Sequence, residues 1–434
     1  MSILPALGFL AAAAGFATLS MRVYRTFFSP AGLFGLVWMT TIGLYSLGIV
    51  EYVEVRLETW LMIGASIAAF LAGCLAVHVL RPPKPQEHHT VDLDLDPRAL
   101  AKFIVVSGAL GLVGFAIYLS IIQRHIGLDT FRTNPHLVRD LQATPEFRSE
   151  FAVPRFLNYL NIATVALGVY WLASFRAHYQ TWRRVIKAAT ITAFATTLFA
   201  IDRTFPIAAL SCGYFVYEAT VDPRKTTITS GLFRITTFVA VLVVVFMAIA
   251  SFSGKTVEQN RSAFARFTPG EEYASFAYPY MYVTGNIPAF QEFVRHTDGG
   301  VTHGKFVFLP LVKFLGIFDR NVVVPEEVGK FYLIPFEFNT TTWLNIFWSD
   351  FGFAGLVVLP MMVGALSTWL HLRLRASRSL ANVFVNALGL YVILNSVFVN
   401  KIVSSPTWMF AIIAIVVPRF LRTSRPQAAA GVTA

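Results

Sequence analysis

Long, unbroken apolar runs recur along this chain, separated by short polar segments, and none of them alternates apolar with polar at every second residue. Runs of this kind predict helices that cross a bilayer, whereas barrel strands would alternate. Crossing about 30 Å of hydrocarbon takes roughly 20 helical residues. The runs fall at residues 2–20, 28–50, 60–80, 100–122, 156–174, 185–201, 204–219, 231–252, 351–371, 380–399 and 406–421. They predict an all-α polytopic membrane protein with about eleven transmembrane helices. The first run has no basic residue before it and is followed by Arg22 and Arg25. That order predicts a spanning helix with its N-terminus outside, and argues against a cleaved secretory signal.

The connections divide the chain into eight spans over residues 1–252, a large outer loop over 253–350, three further spans over 351–421 and an inner tail over 422–434. Most connections are short, as in a helical bundle. Two exceptions are residues 81–97, polar and Pro-rich, and residues 123–155, which carry five arginines. The loop of 253–350 is too long for a passive connection. Its apolar stretch at 306–318 and its aromatic cluster of Tyr273, Phe276, Tyr278, Tyr280 and Tyr282 predict short helices that lie on the membrane or cap the bundle.

Composition agrees with this pattern, since 56% of the 434 residues are hydrophobic and 14% charged. With the N-terminus outside, the inner segments hold 19 of the 35 basic residues and 6 of the 24 acids, leaving +13 inside and −2 outside. The net charge of +11 is therefore a topology signal. No module of interleaved basic and aromatic residues points to nucleic acid. Cys74 and Cys212 fall within apolar runs, where they behave as small hydrophobes.

Candidate chemistry gathers where charge interrupts the apolar pattern. Asp202 and Arg203 break the stretch from 185 to 219, which predicts a tight turn at the outer membrane boundary. An arginine there suits bidentate hydrogen bonds to a diphosphate. Arg132 and Arg139 before the fifth span, and Arg261, Arg266, Arg295 and Arg320 in the long loop, collectively point to an anionic ligand, although nearby acids account for any one of them. Asn339, Thr340, Trp343, Asp350, Gly352 and Gly355 lead into the ninth span. Asp350 suits either a proton-accepting or hydroxyl-orienting role or the capping of a helix. Tyr282 and its neighbours suit sugar stacking or an interfacial belt. His303 is an exposed loop histidine or an outer base. Asp92, Asp94 and Asp96 lie in the inner Pro-rich linker, where a solvated linker outweighs a metal site.

These residues, in this order, resemble the Wzy-type oligosaccharide repeat-unit polymerases. The resemblance rests on Ala200-Ile201-Asp202-Arg203 between two mid-chain spans, Tyr282-Val283-Thr284-Gly285-Asn286-Ile287 in the long outer loop, and Asn339-Thr340 followed by Ser349-Asp350-Phe351-Gly352-Phe353-Ala354-Gly355. It covers roughly residues 201–355 and implies a fold like that of O-antigen ligases and other GT-C transferases, in a bacterial inner membrane with the N-terminus periplasmic and the C-terminus cytoplasmic. The implied activity is glycosyl transfer on the periplasmic face without metal or cofactor. A growing glycan on undecaprenyl diphosphate is the donor, a lipid-linked repeat unit the acceptor, and a chain-length regulator a further partner beside membrane lipid. Arg203 is then the expected diphosphate ligand, with Arg132 and Arg139 assisting. Asp350 is the expected base or hydroxyl-orienting group, and Tyr282, Asn339, Arg261, Arg320 and His303 are expected to meet the substrate. The alternatives are an O-antigen ligase-like transferase and a lipid-linked oligosaccharide flippase or transporter. Transport would call for charges lining several spans at mid-depth, whereas these runs are nearly free of charge.

Overall fold

The structure is a computed structural model that describes residues 3–81, 95–135, 137–138, 141, 144, 147, 150–175, 179–199, 204–221, 227–252, 266–268, 274–318, 322–325 and 331–421. Its helices are α1 (Ile3–Tyr24), α2 (Pro30–Ser46), α3 (Leu57–Leu80), α4 (Pro97–His125), α5 (Leu128–Thr133), α6 (Ala152–Ser174), α7 (Gln180–Leu198), α8 (Thr204–Thr220) and α9 (Ile228–Phe252). They continue as α10 (Ala274–Thr284), α11 (Asn286–His296), α12 (Leu309–Phe318), α13 (Leu344–Ala376), α14 (Leu380–Leu394) and α15 (Ser405–Phe420). Between α12 and α13 lies a small antiparallel pair, β1 (Tyr332–Leu333) and β2 (Glu337–Phe338), with Tyr332 opposite Phe338.

A helix stands at each of the eleven apolar runs, but the expected eleven crossings are corrected to six. Among the described residues, α1, α3, α4, α6, α9 and α13 are long and apolar enough to cross a membrane. Six candidate spans support a multi-pass membrane protein. Helices α2 and α8 have 17 residues each, α14 has 15 and α15 has 16. At about 1.5 Å per residue such helices fall several ångströms short of the hydrocarbon thickness. In α7 the obstacle is polarity: Arg183, Arg184 and Lys187 occupy its first half.

Contacts divide the chain into two compact units. One comprises Met1–Gln86, Val257–Ala376 and Leu388–Met409. Its backbone is the pairing of α3 with α13, allowed by reciprocal glycines: a Cβ at Gly73 would run into the Met361 carbonyl, and one at Gly364 into the Phe70 carbonyl. Close backbone approach at small residues is a common way to pack helices in lipid, where apolar burial supplies little drive. Beside this contact the Phe34 and Phe70 rings stack at 3.8 Å, and fully buried Trp343 leans on both. Helix α2 is started by Ser29, whose Oγ accepts from the Gly32 N–H at 3.2 Å, with Pro30 at the first helical position.

The other unit comprises Glu87–Thr256, Ser377–Ala387 and Phe410–Ala434. Here α4, α7 and α8 pack on α6. The α4–α6 contact has a buried polar seam, with Thr164 donating to the Ser107 hydroxyl at 3.1 Å and Asn161 Nδ2 donating to Asn158 Oδ1 at 2.7 Å. Asp96, the last acid of the inner linker, caps α4 by accepting from the Arg98 N–H at 2.8 Å. Asp92 and Asp94 lie outside the described residues.

Candidate functional site

Within the first unit, the outer loop folds over the start of α3. Glu51 donates its N–H to the Phe267 carbonyl at 2.9 Å, and Tyr52 and Thr284 share a hydroxyl hydrogen bond of 2.7 Å. Tyr280 donates to the Leu44 carbonyl at 2.6 Å and accepts from the Ile49 N–H at 3.3 Å. Burial raises the pKa of both tyrosines above the ordinary 10.0, against the lowering effect of their hydrogen bonds. Gln291, buried on α11, ties the layers together: its Oε1 accepts from the Arg56 N–H at 2.6 Å and its Nε2 donates to the Glu54 carbonyl at 3.0 Å.

These bonds frame a cavity of about 480 Å³ lined by Val53, Glu54, Val55, Arg56, Leu57, Gln291 and Arg295. Arg295 is steadied by Glu292 at 2.9 Å. The pair is partly solvated, so its value is orientation more than stability. Two arginines and a glutamate are thus among the residues that border one half-polar opening, and guanidiniums are the groups suited to a phosphate. Arg295 stands among the arginines that the sequence singles out. Arg56, Glu54 and Gln291 were missed, and the available signal was Arg56 in a short connection expected outside, against the positive-inside bias.

Asp350 is fully buried on α13, and both its oxygens are occupied. Oδ1 accepts from Thr302 Oγ1 at 2.5 Å and from the Phe306 N–H at 3.1 Å, and Oδ2 accepts from the Val307 N–H at 2.7 Å. Two further bonds, Gly300 N–H to the Trp348 carbonyl (2.9 Å) and Thr302 N–H to the Ser349 carbonyl (3.1 Å), lay the turn of residues 300–307 along the start of the helix. Immediately beyond, α13 kinks at Gly352, whose φ of 57° and ψ of −143° suit only glycine. Gly299 packs against this kink, where a side chain would meet Gly352 Cα and the Trp348 ring. This geometry gives Asp350 the task of holding a turn.

The remaining expected residues are dispersed. His303 is exposed at the tip of the Asp350-bound turn, with a left-handed φ of 48°. Tyr282 is half-buried on α10, edge-on to Phe338 at 6.1 Å, and Asn339 follows β2, also half-buried. Arg132 is exposed on α5, in the other unit, where Phe131 seats that helix in a cluster with Tyr118, Ile121, Ile122, Val138 and Phe151. Arg203 lies outside the described residues, between α7 ending at Leu198 and α8 starting at Thr204. Arg139, Arg261 and Arg320 also lie outside them.

At the opposite end of the first unit, the Tyr24 hydroxyl and His78 Nδ1 are 2.7 Å apart, and Arg375 donates to the Tyr24 carbonyl at 2.7 Å. Arg22, Arg25, Arg81 and Arg373 belong to the same helix ends, where the described residues include no acid. Basic side chains without acids thus mark the end of this unit opposite the loop. No protein-family model, curated protein or solved structure matches this chain.

Proposed function

We propose that this protein is a membrane glycosyltransferase that extends a polysaccharide on the outer face of a bacterial inner membrane, moving a growing glycan from undecaprenyl diphosphate onto a lipid-linked repeat unit. One observation carries the reading. Two of the segments that resemble repeat-unit polymerases, 282–287 and 339–355, fold within one unit at its acid-balanced end, the unit whose outer loop frames a cavity bearing Arg56 and Arg295.

In this reaction a sugar hydroxyl of the acceptor attacks the anomeric carbon of the donor. The carbon–oxygen bond to the diphosphate breaks, and the bonding pair leaves with undecaprenyl diphosphate. The hydroxyl proton passes to a carboxylate. Guanidiniums that neutralise the departing diphosphate lower the barrier by electrostatic preorganisation. Arg203 is the proposed diphosphate ligand, assisted by Arg132 and Arg139. Arg56 and Arg295 are proposed to hold a phosphate or acidic sugar at the first unit's own cavity. Tyr282 and Asn339 are proposed sugar contacts, and Asp350 acts through the turn it fixes.

The test is Arg203→Ala in the producing cell. The protein should insert normally while lipid-linked single repeat units accumulate. Full-length polymer left on its lipid carrier would indicate a ligase, and normal polymer attached to its final acceptor would remove Arg203 from the mechanism. Failure of Arg203→Lys as well would show that the fork geometry matters beyond charge.

A further inference from the structure

We propose that the segment from His303 to the end of α12 is a membrane-seated foot, whose apolar face lies in the interfacial layer of the outer leaflet and whose cations meet lipid phosphates. The argument starts from exposure. Phe308 is 50% exposed, Leu311 46%, Phe314 55% and Leu315 47%. At about 100° per residue these four positions share roughly 120° of one helical face. Leu309, on the opposite side, is buried, and Gly316 packs against Val324. The apolar face therefore points away from the protein that supports the helix. Four half-exposed apolar side chains on one face form a patch of the size that marks an interaction surface.

Charge and attachment identify the occupant as lipid. Within residues 303–318 the turn before α12 carries His303 and Lys305 and no acid, which is the pairing of cation and apolar face that interfacial helices use on phosphate headgroups. His303 and Lys305 are exposed at the tip of the turn, while Lys313 flanks the packed side of the helix. The Phe306 and Val307 N–H groups are bonded to Asp350, two residues before the kink at Gly352 and in the first turns of the candidate span α13. Phe353, just past the kink, is 55% exposed and continues the apolar surface. The foot is thus mounted near the start of a candidate membrane helix. Its strained turn at His303 is held by the same carboxylate, as expected where a bent backbone positions a functional surface.

The experiment reads location and not activity, so it is independent of the glycosyltransferase reading. Single cysteines at Leu311, Phe314 and Leu315, with Glu337→Cys on β2 as the water-facing reference, are introduced into the full chain lacking Cys74 and Cys212. Each is labelled with a nitroxide and reconstituted in vesicles of phosphatidylethanolamine and phosphatidylglycerol. Collisions with dissolved oxygen should exceed those with an aqueous nickel chelate severalfold at the three helix positions, and the order should reverse at position 337. Higher nickel than oxygen accessibility on the helix would overturn the proposal by placing the face in water. Low accessibility to both reagents would overturn it by showing that protein, from this chain or a second copy, covers the face. If a cysteine variant fails to fold, Phe314→Trp read by quenching from lipids brominated in the acyl chain tests the same position.

Discussion

Replacing Asp350 with alanine takes the acceptor away from three donors at once, the Thr302 hydroxyl and the Phe306 and Val307 amides. A hydrogen bond to a buried charged group contributes about 1.5–3 kcal/mol. The turn can open toward water, which recovers part of that loss, so the expected net cost is about 3 kcal/mol. That corresponds to roughly a hundredfold rise in the open population of the turn. Lys305, at its exposed tip, is a trypsin site. Cleavage there should accelerate by about the same factor while opening remains fast relative to cutting. Thr302→Val removes one donor and leaves both amide bonds, so it should cost about 1 kcal/mol and speed cleavage roughly fivefold. The graded pair separates a turn-holding carboxylate from a catalytic base, because loss of a base would leave Lys305 as protected as before. Unchanged cleavage in well-folded Asp350→Ala would refute the reasoning.

Three further outcomes follow from the packing. Gly73→Ala and Gly364→Ala each push a methyl group into the facing backbone of the α3–α13 crossing and should cost about 1–3 kcal/mol in thermal unfolding in detergent. Gly64→Ala, on the same α3 with open space around it, should be close to neutral. Tyr52 and Tyr280 have folded pKa values raised above 10.0, so the stability they contribute is complete below about pH 10 and is lost as the pH climbs through the folded values. The melting temperature of the double variant Tyr52→Phe, Tyr280→Phe should therefore fall less steeply above about pH 10 than that of the parent. Arg56→Ala and Arg295→Ala should each lower polymer output without lowering the melting temperature, measured on glycan gels and by thermal unfolding. Normal output from both would remove the cavity from the proposed mechanism.

Apolar runs by themselves located every spanning or near-spanning helix, because an uninterrupted hydrophobic segment in lipid has to satisfy its backbone internally, and a helix does so locally. The same runs overstated the crossings. The stretch at 28–50 reads as one apolar segment, yet its helix ends at Ser46, and Ile49 beyond it donates its N–H to the Tyr280 hydroxyl, a contact 231 positions away. That two separate helices, Gln180–Leu198 and Thr204–Thr220, share the stretch from 185 to 219 was legible for the same local reason, since two charges interrupt a run too long for one span.

The role of Asp350 was not legible, because capping and chemistry ask for the same residue type at a helix start. Only the return of Thr302, Phe306 and Val307 across 43 to 48 residues decides for the turn. The cavity is likewise a tertiary product: Arg56 and Gln291 meet across a sequence separation of 235 residues. Periodicity and charge interruption act between neighbours in the chain and so determined where the helices are and which end carries the basic residues. Which polar groups face one another depends on how the long loop closes over α3, and that was settled by long-range hydrogen bonds and close glycine packing that leave no periodic mark in the sequence.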